Sequence, residues 1–500
     1  MPEAIEHIRG TAALVVPEII LLAAVCVLFL VGPFLVNEAG EAPVGLRRRW
    51  GLFSLFALVV AWLAWYQADG AAANTASAVA GGMFHIDATV WFVRGLVFSL
   101  GMLLVLVLWN QIDDAHAAEA HACLLSMIMG TTLVAAANDL VTLFLALELV
   151  SIPTYIILYL SRPDRIGGEA TVKYFLLSVF SSALVLYGMS WLYGVTGSTN
   201  FAVIREVLSS RTPHAGEVIL ELAFGLLLAG LCFRIAAVPF HFYAPDVFQG
   251  TTASNAALLS LVPKVVGFVA LMRVIPLSGA TDSLQRWLPE LDAKLLLGVL
   301  AVATMFVGNL MALRQKHLYR LMAYSSIAHA GYMLVGLAVG DAMPVGGREA
   351  ILFYLTTYGL MTIGVFALLS AGEGAPLQTD AELRGLARIR PTTSILLAVC
   401  LFSLTGLPPT AGFLGKLNLF MSAWSDGTRL AKWLAVLMAL NAAISAYYYL
   451  RLVALMFLEP ADAEPRPRRT AWAPWLAGLV CAVMSIAIFV SPQWLWDSIR

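Results

Sequence analysis

Apolar runs of roughly twenty residues, separated by short polar connectors, recur along the whole chain, as in Leu14 to Val36 and Leu52 to Tyr66. A helix needs about 20 apolar residues to cross about 30 Å of hydrocarbon. Barrel strands would instead show alternating segments of about 10 residues. Lipid offers no partners for open backbone groups, so runs of this length are read as helices. At about 35 residues per crossing and connector, the chain holds about 14 crossings. The expected fold is an all-α polytopic membrane protein. The runs place its spans at 12–36, 50–67, 88–109, 119–137, 139–160, 168–195, 218–242, 252–275, 292–313, 318–340, 349–371, 391–424, 430–457 and 472–496. The longest connectors fall near 68–87 and 197–217, and neither has room for a soluble domain.

Two spans are interrupted. The segment 391–424 is too long for one crossing and contains Thr405-Gly406-Leu407-Pro408-Pro409-Thr410-Ala411-Gly412. Prolines remove backbone donors, so this span is expected to break at membrane depth. The seventh span is expected to break near Pro239 and Pro245. The spacing of charged and imidazole groups suggests a duplication. Glu148 precedes Arg234 by 86 residues, and His329 precedes Lys416 by 87. Each pair runs from an unbroken helix to a proline-broken one. The first unit would cover 119–275 and the second 292–457, five helices each, flanked by a three-helix segment 1–118 and a last helix within 458–500. Five is odd, so the copies would be inverted, a plan that transporters use to place ion sites at broken helices.

Composition narrows the class. The chain is 60% hydrophobic and 12% charged, against about 45–50% and about 25% for a soluble domain. This excludes a soluble enzyme, a disordered chain and a disulfide scaffold. A net charge of −1 without a basic block argues against nucleic acid as a partner and leaves the lipid bilayer. Cys26, Cys123, Cys232, Cys400 and Cys481 sit singly in apolar runs and are read as small core residues. The opening MPEAIEHIRG lacks the basic region of a signal peptide, so the first run is read as a retained span. Odd-numbered connectors hold 14 Lys and Arg residues, against 10 in even connectors and tails. The positive-inside bias places odd connectors in the cytoplasm and both termini outside.

A charge at the centre of a spanning helix costs at least about 2.5–3.5 kcal/mol and marks a functional candidate. Glu148, Lys173, Arg234, Lys264 and Lys416 stand out by depth. A purely structural ion pair is the alternative to a functional role for Glu148, Lys264 and Lys416. Lys173 can pair with Glu169 four residues earlier on one helix face. Arg94 and Arg451, nearer span ends, are expected to snorkel. His329 and His241 are candidates that a satisfied core or loop histidine would equally explain. The other histidines read as connector residues. Lysine is strongly basic in water, but burial lowers its pKa and a neighbouring carboxylate raises it again. Alternating acids and bases can therefore relay protons, each charge change biasing the next site. Sites for sodium or potassium would favour rings of carboxylates and carbonyls.

Several stretches carry a likeness to a known family. They are Val16-Pro17-Glu18-Ile19-Ile20-Leu21, Leu147-Glu148-Leu149-Val150-Ser151-Ile152-Pro153 and Glu169-Ala170-Thr171-Val172-Lys173-Tyr174-Phe175. Further along stand Val238-Pro239-Phe240-His241 with Pro245-Asp246-Val247-Phe248-Gln249-Gly250, and Arg320-Leu321-Met322-Ala323-Tyr324-Ser325-Ser326-Ile327-Ala328-His329. The most specific is Pro408-Pro409-Thr410-Ala411-Gly412-Phe413-Leu414-Gly415-Lys416. Over nearly all its length the chain resembles the subunit N family of respiratory NADH:quinone oxidoreductase (complex I), a group of antiporter-like membrane subunits. The resemblance implies fourteen helices, two inverted units and a part in proton translocation. It implies no cofactor in this subunit, with NADH, FMN, iron–sulfur clusters and quinone held by partner subunits. It implies other membrane subunits of the complex as partners, including the sister antiporter-like ones, and a bacterial inner-membrane location. By position, Glu148 would be the acid of the first half-channel, Lys264 its connecting lysine and Lys416 the lysine of the exit half. Lys173 and His329 would lie on the central polar axis.

Two departures stand out. The family usually has lysine at Arg234, and arginine does not release its proton. The first half would then work by electrostatic gating, or Lys264 would do the proton work alone. Thr251-Thr252-Ala253-Ser254-Asn255 also stands where the family tends to be proline-rich. An alternative is a subunit of a multi-subunit cation/proton antiporter, where Pro-Asp-Ala-His is expected in place of Pro245-Asp246-Val247-Phe248. A non-transporting scaffold is a third reading, which gives no reason for buried basic residues.

Overall fold

The computed structural model describes residues 10–37, 42–67, 82–210, 217–278, 293–340, 345–372, 376–460 and 470–499. The acidic tail before residue 10, most of the expected connector 68–87, and Arg211, Arg286, Arg466, Arg468 and Arg469 lie outside them. In chain order the bundle begins with α1 (Val16–Val31), α2 (Leu46–Gln67), α3 (Ala88–Leu108), α4 (Ala117–Ala136), α5 (Leu140–Ser161) and α6 (Arg165–Thr196). Next come α7 (Glu217–Arg234), continued after a break by a short helix Ala244–Gln249, then α8 (Ala253–Val274), α9 (Ala293–Leu313), α10 (Leu318–Val339) and α11 (Gly347–Ser370). Two half-helices, Pro391–Thr405 and Ala411–Ser425, form α12, and α13 (Arg429–Phe457) and α14 (Trp472–Val490) complete the set. Twelve helices among the described residues are long and apolar enough to cross a membrane. The other two crossings are α7, with Glu217, Glu221 and Arg234 among its 18 residues, and the divided α12.

Local chemistry explains the boundaries. Asp87, Asp139 and Asp164 cap α3, α5 and α6, each carboxylate accepting a backbone N–H of the first turn. Such caps satisfy donors that a helix start leaves open. Isolated bridges join even connectors to each other, Phe84 to Ala137 and Asp139 to Asn200. Others join odd connectors, His317 to Thr379 and Gly372 to Thr470. This is the threading expected of helices that alternate in direction. At the centre lies α11, buried without exception from Ala350 to Ser370. A helix apolar all round belongs inside a bundle. On the periphery α1, α2 and α13 expose Leu30, Phe56 and Tyr447.

Both expected breaks are present. Helix α7 stops at Arg234, and Ala236 adopts a left-handed φ of 55° that ordinary residues avoid. The Tyr243 hydroxyl then donates to the Phe233 carbonyl across the gap at 3.0 Å. Pro245 does not break a helix but starts one, in the first turn of Ala244–Gln249. In α12 the first half ends at Gly406, with φ 84°. Gly412 opens the second half so close to the first that an added Cβ would lie 1.9 Å from the Ser403 carbonyl oxygen.

Several expectations are corrected. Arg94 does not snorkel: it is buried and forms a two-pronged pair with Glu18 at 2.8 and 3.0 Å, with a third bond to the Leu14 carbonyl. A guanidinium and a carboxylate so matched satisfy each other inside the bundle. Arg451, 27% exposed, instead reaches two connectors, binding the Gln315 carbonyl at 2.7 Å and Asp380 at 3.5 Å. His121 is no connector residue; it is fully buried within α4. Cys26 is exposed rather than in the core, while the other four cysteines are buried. The connector 197–217 contains a helix, Phe201–Ser210.

Candidate functional site

The first station gathers on α5, α6 and α7. The Arg234 guanidinium meets Glu148 Oε1 at 3.2 Å through Nη2, and Ser151 Oγ at 2.7 Å and the Leu147 carbonyl at 3.3 Å through Nη1. Ser182 of α6 donates to Glu148 and receives Arg234 Nη2 at 3.3 Å. Glu148 therefore pairs with Arg234, not with Lys264. The planar fork is what lets one side chain hold three elements at once. The Glu148 side chain keeps 22% of its exposure and that of Arg234 only 7%.

Lys264 of α8 forms the second station. Its ammonium donates to Ser326 Oγ of α10 and stands 5.5 Å from the centroid of the Tyr358 ring of α11. Tyr358 donates to the same Ser326 oxygen at 2.9 Å. One turn along α10 is the third station, His329, fully buried between two phenols. Its Nδ1 lies 2.6 Å from the Tyr354 hydroxyl and its Nε2 3.1 Å from that of Tyr449. Tyr449 in turn bonds Ser325. The rings of His329 and Tyr358 are 5.1 Å apart, which brings the second and third stations side by side.

Lys416 is the fourth. Where α12 breaks, the carbonyls of Leu404 and Thr405 lose their helical partners and accept the Lys416 ammonium at 2.9 and 2.8 Å. The negative end of the half-helix dipole points the same way. Tyr332 faces the ammonium at 5.2 Å; Asn309 donates to the Tyr332 hydroxyl at 3.1 Å and is itself held by Asn441 and Tyr448. Among the described residues neither Lys264 nor Lys416 has a carboxylate within 4.0 Å. Hydroxyls, ring faces and carbonyls are their surroundings, and such partners offset the desolvation of an ammonium only in part.

Lys173 stands apart from this line. Its side chain is 42% exposed and binds Glu169 at 2.8 Å, the expected partner, and Asp246 at 3.0 Å. Asp246 also holds Arg320 of α10 at 2.6 Å. His241 lies in the α7 break with its Nδ1 unpartnered among the described residues. Sequence reasoning missed Ser151, Ser182, Ser326, Tyr354, Tyr358 and Tyr449. The one available signal was Tyr354 and Tyr358, two phenols four residues apart in the middle of an apolar span.

Fold and site together define a multi-pass helical membrane protein with ionisable groups stationed in its interior and at two helix breaks. The chain belongs to the NADH:quinone oxidoreductase/Mrp antiporter transmembrane family, which matches residues 137–445. A protein of Solibacter usitatus described as NADH-quinone oxidoreductase subunit N 1 is 35% identical over 96% of this chain and 95% of its own length. A chain of respiratory complex I from Thermus thermophilus superposes with a TM-score of 0.76 at 31% identity, covering 97% of this chain and 99% of that one. A chain of the Mrp complex from Dietzia shares the fold, with a TM-score of 0.77 at 18% identity over 98% and 96% of the two chains.

Proposed function

We propose that this chain is the antiporter-like subunit N of a bacterial NADH:quinone oxidoreductase and that it translocates protons through its buried stations. The observation that carries this reading is the placement of Glu148–Arg234, Lys264, His329 and Lys416 inside the bundle, each held by hydroxyls or backbone carbonyls, with Arg234 and Lys416 at the two broken helices. Arg234 keeps its proton, so the first station works by gating. When Glu148 takes up a proton, the Arg234 charge loses its counter-ion and acts on its neighbours. Lys264 and Lys416 are the groups that gain and lose protons, and His329 with its two phenols stands between them. The units 119–275 and 292–457 act as inverted copies, each with one broken helix. Redox chemistry with NADH, FMN, iron–sulfur clusters and quinone belongs to partner subunits, while sister antiporter-like subunits and lipid flank this chain. It lies in the bacterial inner membrane, both termini on the non-cytoplasmic side.

The decisive experiment replaces Lys416 with alanine in the assembled complex and measures NADH-driven acidification of inverted membrane vesicles. Loss of acidification with intact assembly is the expected result; normal pumping would sink the reading. Purification of the native complex tests the setting, since partners with NADH- and iron–sulfur-binding sequences are expected.

A further inference from the structure

Helices α5 and α6 run antiparallel, and a line of hydroxyls follows their seam. Tyr155 of α5 donates to Ser178 Oγ of α6 at 3.0 Å. Ser151, one turn before Tyr155, accepts from Arg234, and Ser182, one turn after Ser178, donates to Glu148. The Tyr155 ring is held edge-on by Tyr174 at 5.9 Å and Phe175 at 5.2 Å. On the far side of Tyr174, the stacked rings of Phe233 and Tyr243 close an apolar wall. Nearer the start of α6, between it and the short helix Ala244–Gln249, lies an open cavity of about 210 Å³ lined by Glu169, Lys173, Asp246 and Gln249. Charged walls of both signs keep such a cavity wet. Along α6 the cavity at residues 166–173 comes first, then Ser178 with Tyr155, then Ser182 at the Glu148 carboxylate.

Resting on the reading of this chain as a proton translocator, we propose that Tyr155 and Ser178 form the inlet that loads Glu148 with protons from the Glu169–Lys173–Asp246 cavity. Ser178 and Ser182 are one helical turn apart, about 5.4 Å along the axis, a gap that one water bridges. A proton arriving from cavity water joins a lone pair of one hydroxyl as that hydroxyl passes its own proton on. Each hydroxyl ends neutral, and the net change is one proton moved from cavity water to a Glu148 oxygen. The groups facing Tyr155 are Glu148, Arg234, Ser151 and Tyr174.

The test uses the whole complex in inverted vesicles, with Tyr155→Phe, Ser178→Ala and, as reference, Glu148→Gln. Ser178→Ala leaves the aromatic packing untouched and keeps the question open to an answer if Tyr155→Phe assembles poorly. The readouts are assembly, NADH-driven acidification and the solvent deuterium isotope effect on it. Expected is a fall in pumping of about tenfold for either inlet variant, with a larger isotope effect, because proton delivery becomes limiting. A merely structural bond between α5 and α6 would lower assembly and leave the isotope effect unchanged, which overturns the inlet. Normal pumping in both inlet variants while Glu148→Gln abolishes it also overturns the inlet and leaves the translocator reading standing. Normal pumping in Glu148→Gln as well as in the Lys416 variant overturns both.

Discussion

Glu148 and Arg234 are 86 residues apart in the chain and 3.2 Å apart in the bundle. This pair ties α5 to the last residue of α7, where that helix gives out. Removing one partner of a buried pair strands the other and costs about 3–5 kcal/mol, while removing both costs less. Arg234→Met is therefore expected to lower the melting temperature of the solubilised complex. Adding Glu148→Gln to it should restore part of the loss, and a double-mutant cycle reads the coupling.

Arg94 and Glu18 make a second such pair, remote from the stations, with side chains 5% and 3% exposed. It joins α1 to α3. Arg94→Met should destabilise by about 3–5 kcal/mol through the stranded carboxylate. The measurement is the yield of assembled subunit on native gels. Specific pumping per assembled complex should stay normal, which separates this pair from the relay.

Gly412 tests the break in α12. A Cβ there would sit 1.9 Å from the Ser403 carbonyl oxygen, so the two half-helices must part. Gly412→Ala is expected to cost about 1–3 kcal/mol as an overpacked contact. It should also move the Leu404 and Thr405 carbonyls off the Lys416 ammonium. Pumping should fall more than the thermal stability alone predicts, read by vesicle acidification at matched assembly.

Asp87, just outside α3, binds Arg273 at 2.6 and 2.9 Å. Burial pushes its carboxyl upward, but the bonds and charge of Arg273 and the Val90 N–H outweigh it, leaving its pKa below the ordinary 3.8. A folded-state pKa below the unfolded one stabilises fully above the unfolded value and is lost as pH falls through the folded one. Asp87→Asn should lower the melting temperature at pH 7 by an amount corresponding to about 1–2 kcal/mol. The gap to the wild type should close as the pH is taken below 3.8.

Much of this architecture is written in apolar run lengths, and the two breaks in prolines and glycines. Glu148, Lys264 and Lys416 are legible because a lone charge in a hydrophobic run is conspicuous. Their companions are not, because serines and tyrosines are ordinary in helices and only packing shows which ones meet. The same limit hides Arg94 from Glu18, on helices whose mutual rotation no periodicity records. Lys173 misleads for a geometric reason. At 32 residues α6 is about 48 Å long, well beyond about 30 Å of hydrocarbon. A residue two turns from its start is surrounded by apolar neighbours in sequence and still reaches the polar margin. His121 shows the reverse: it stands two residues inside the expected span 119–137, where a polar residue so near the start reads as connector, and α4 carries its imidazole into the core.

The Lys416 ammonium rests on peptide oxygens, and peptide oxygens do not titrate. Acid can neutralise the carboxylate that steadies Arg234, yet it cannot loosen the grip of Leu404 and Thr405. The second broken helix is thus a clamp of constant strength, deaf to its own surroundings, and any change in the occupancy of that lysine has to arrive as an electric field from elsewhere in the bundle.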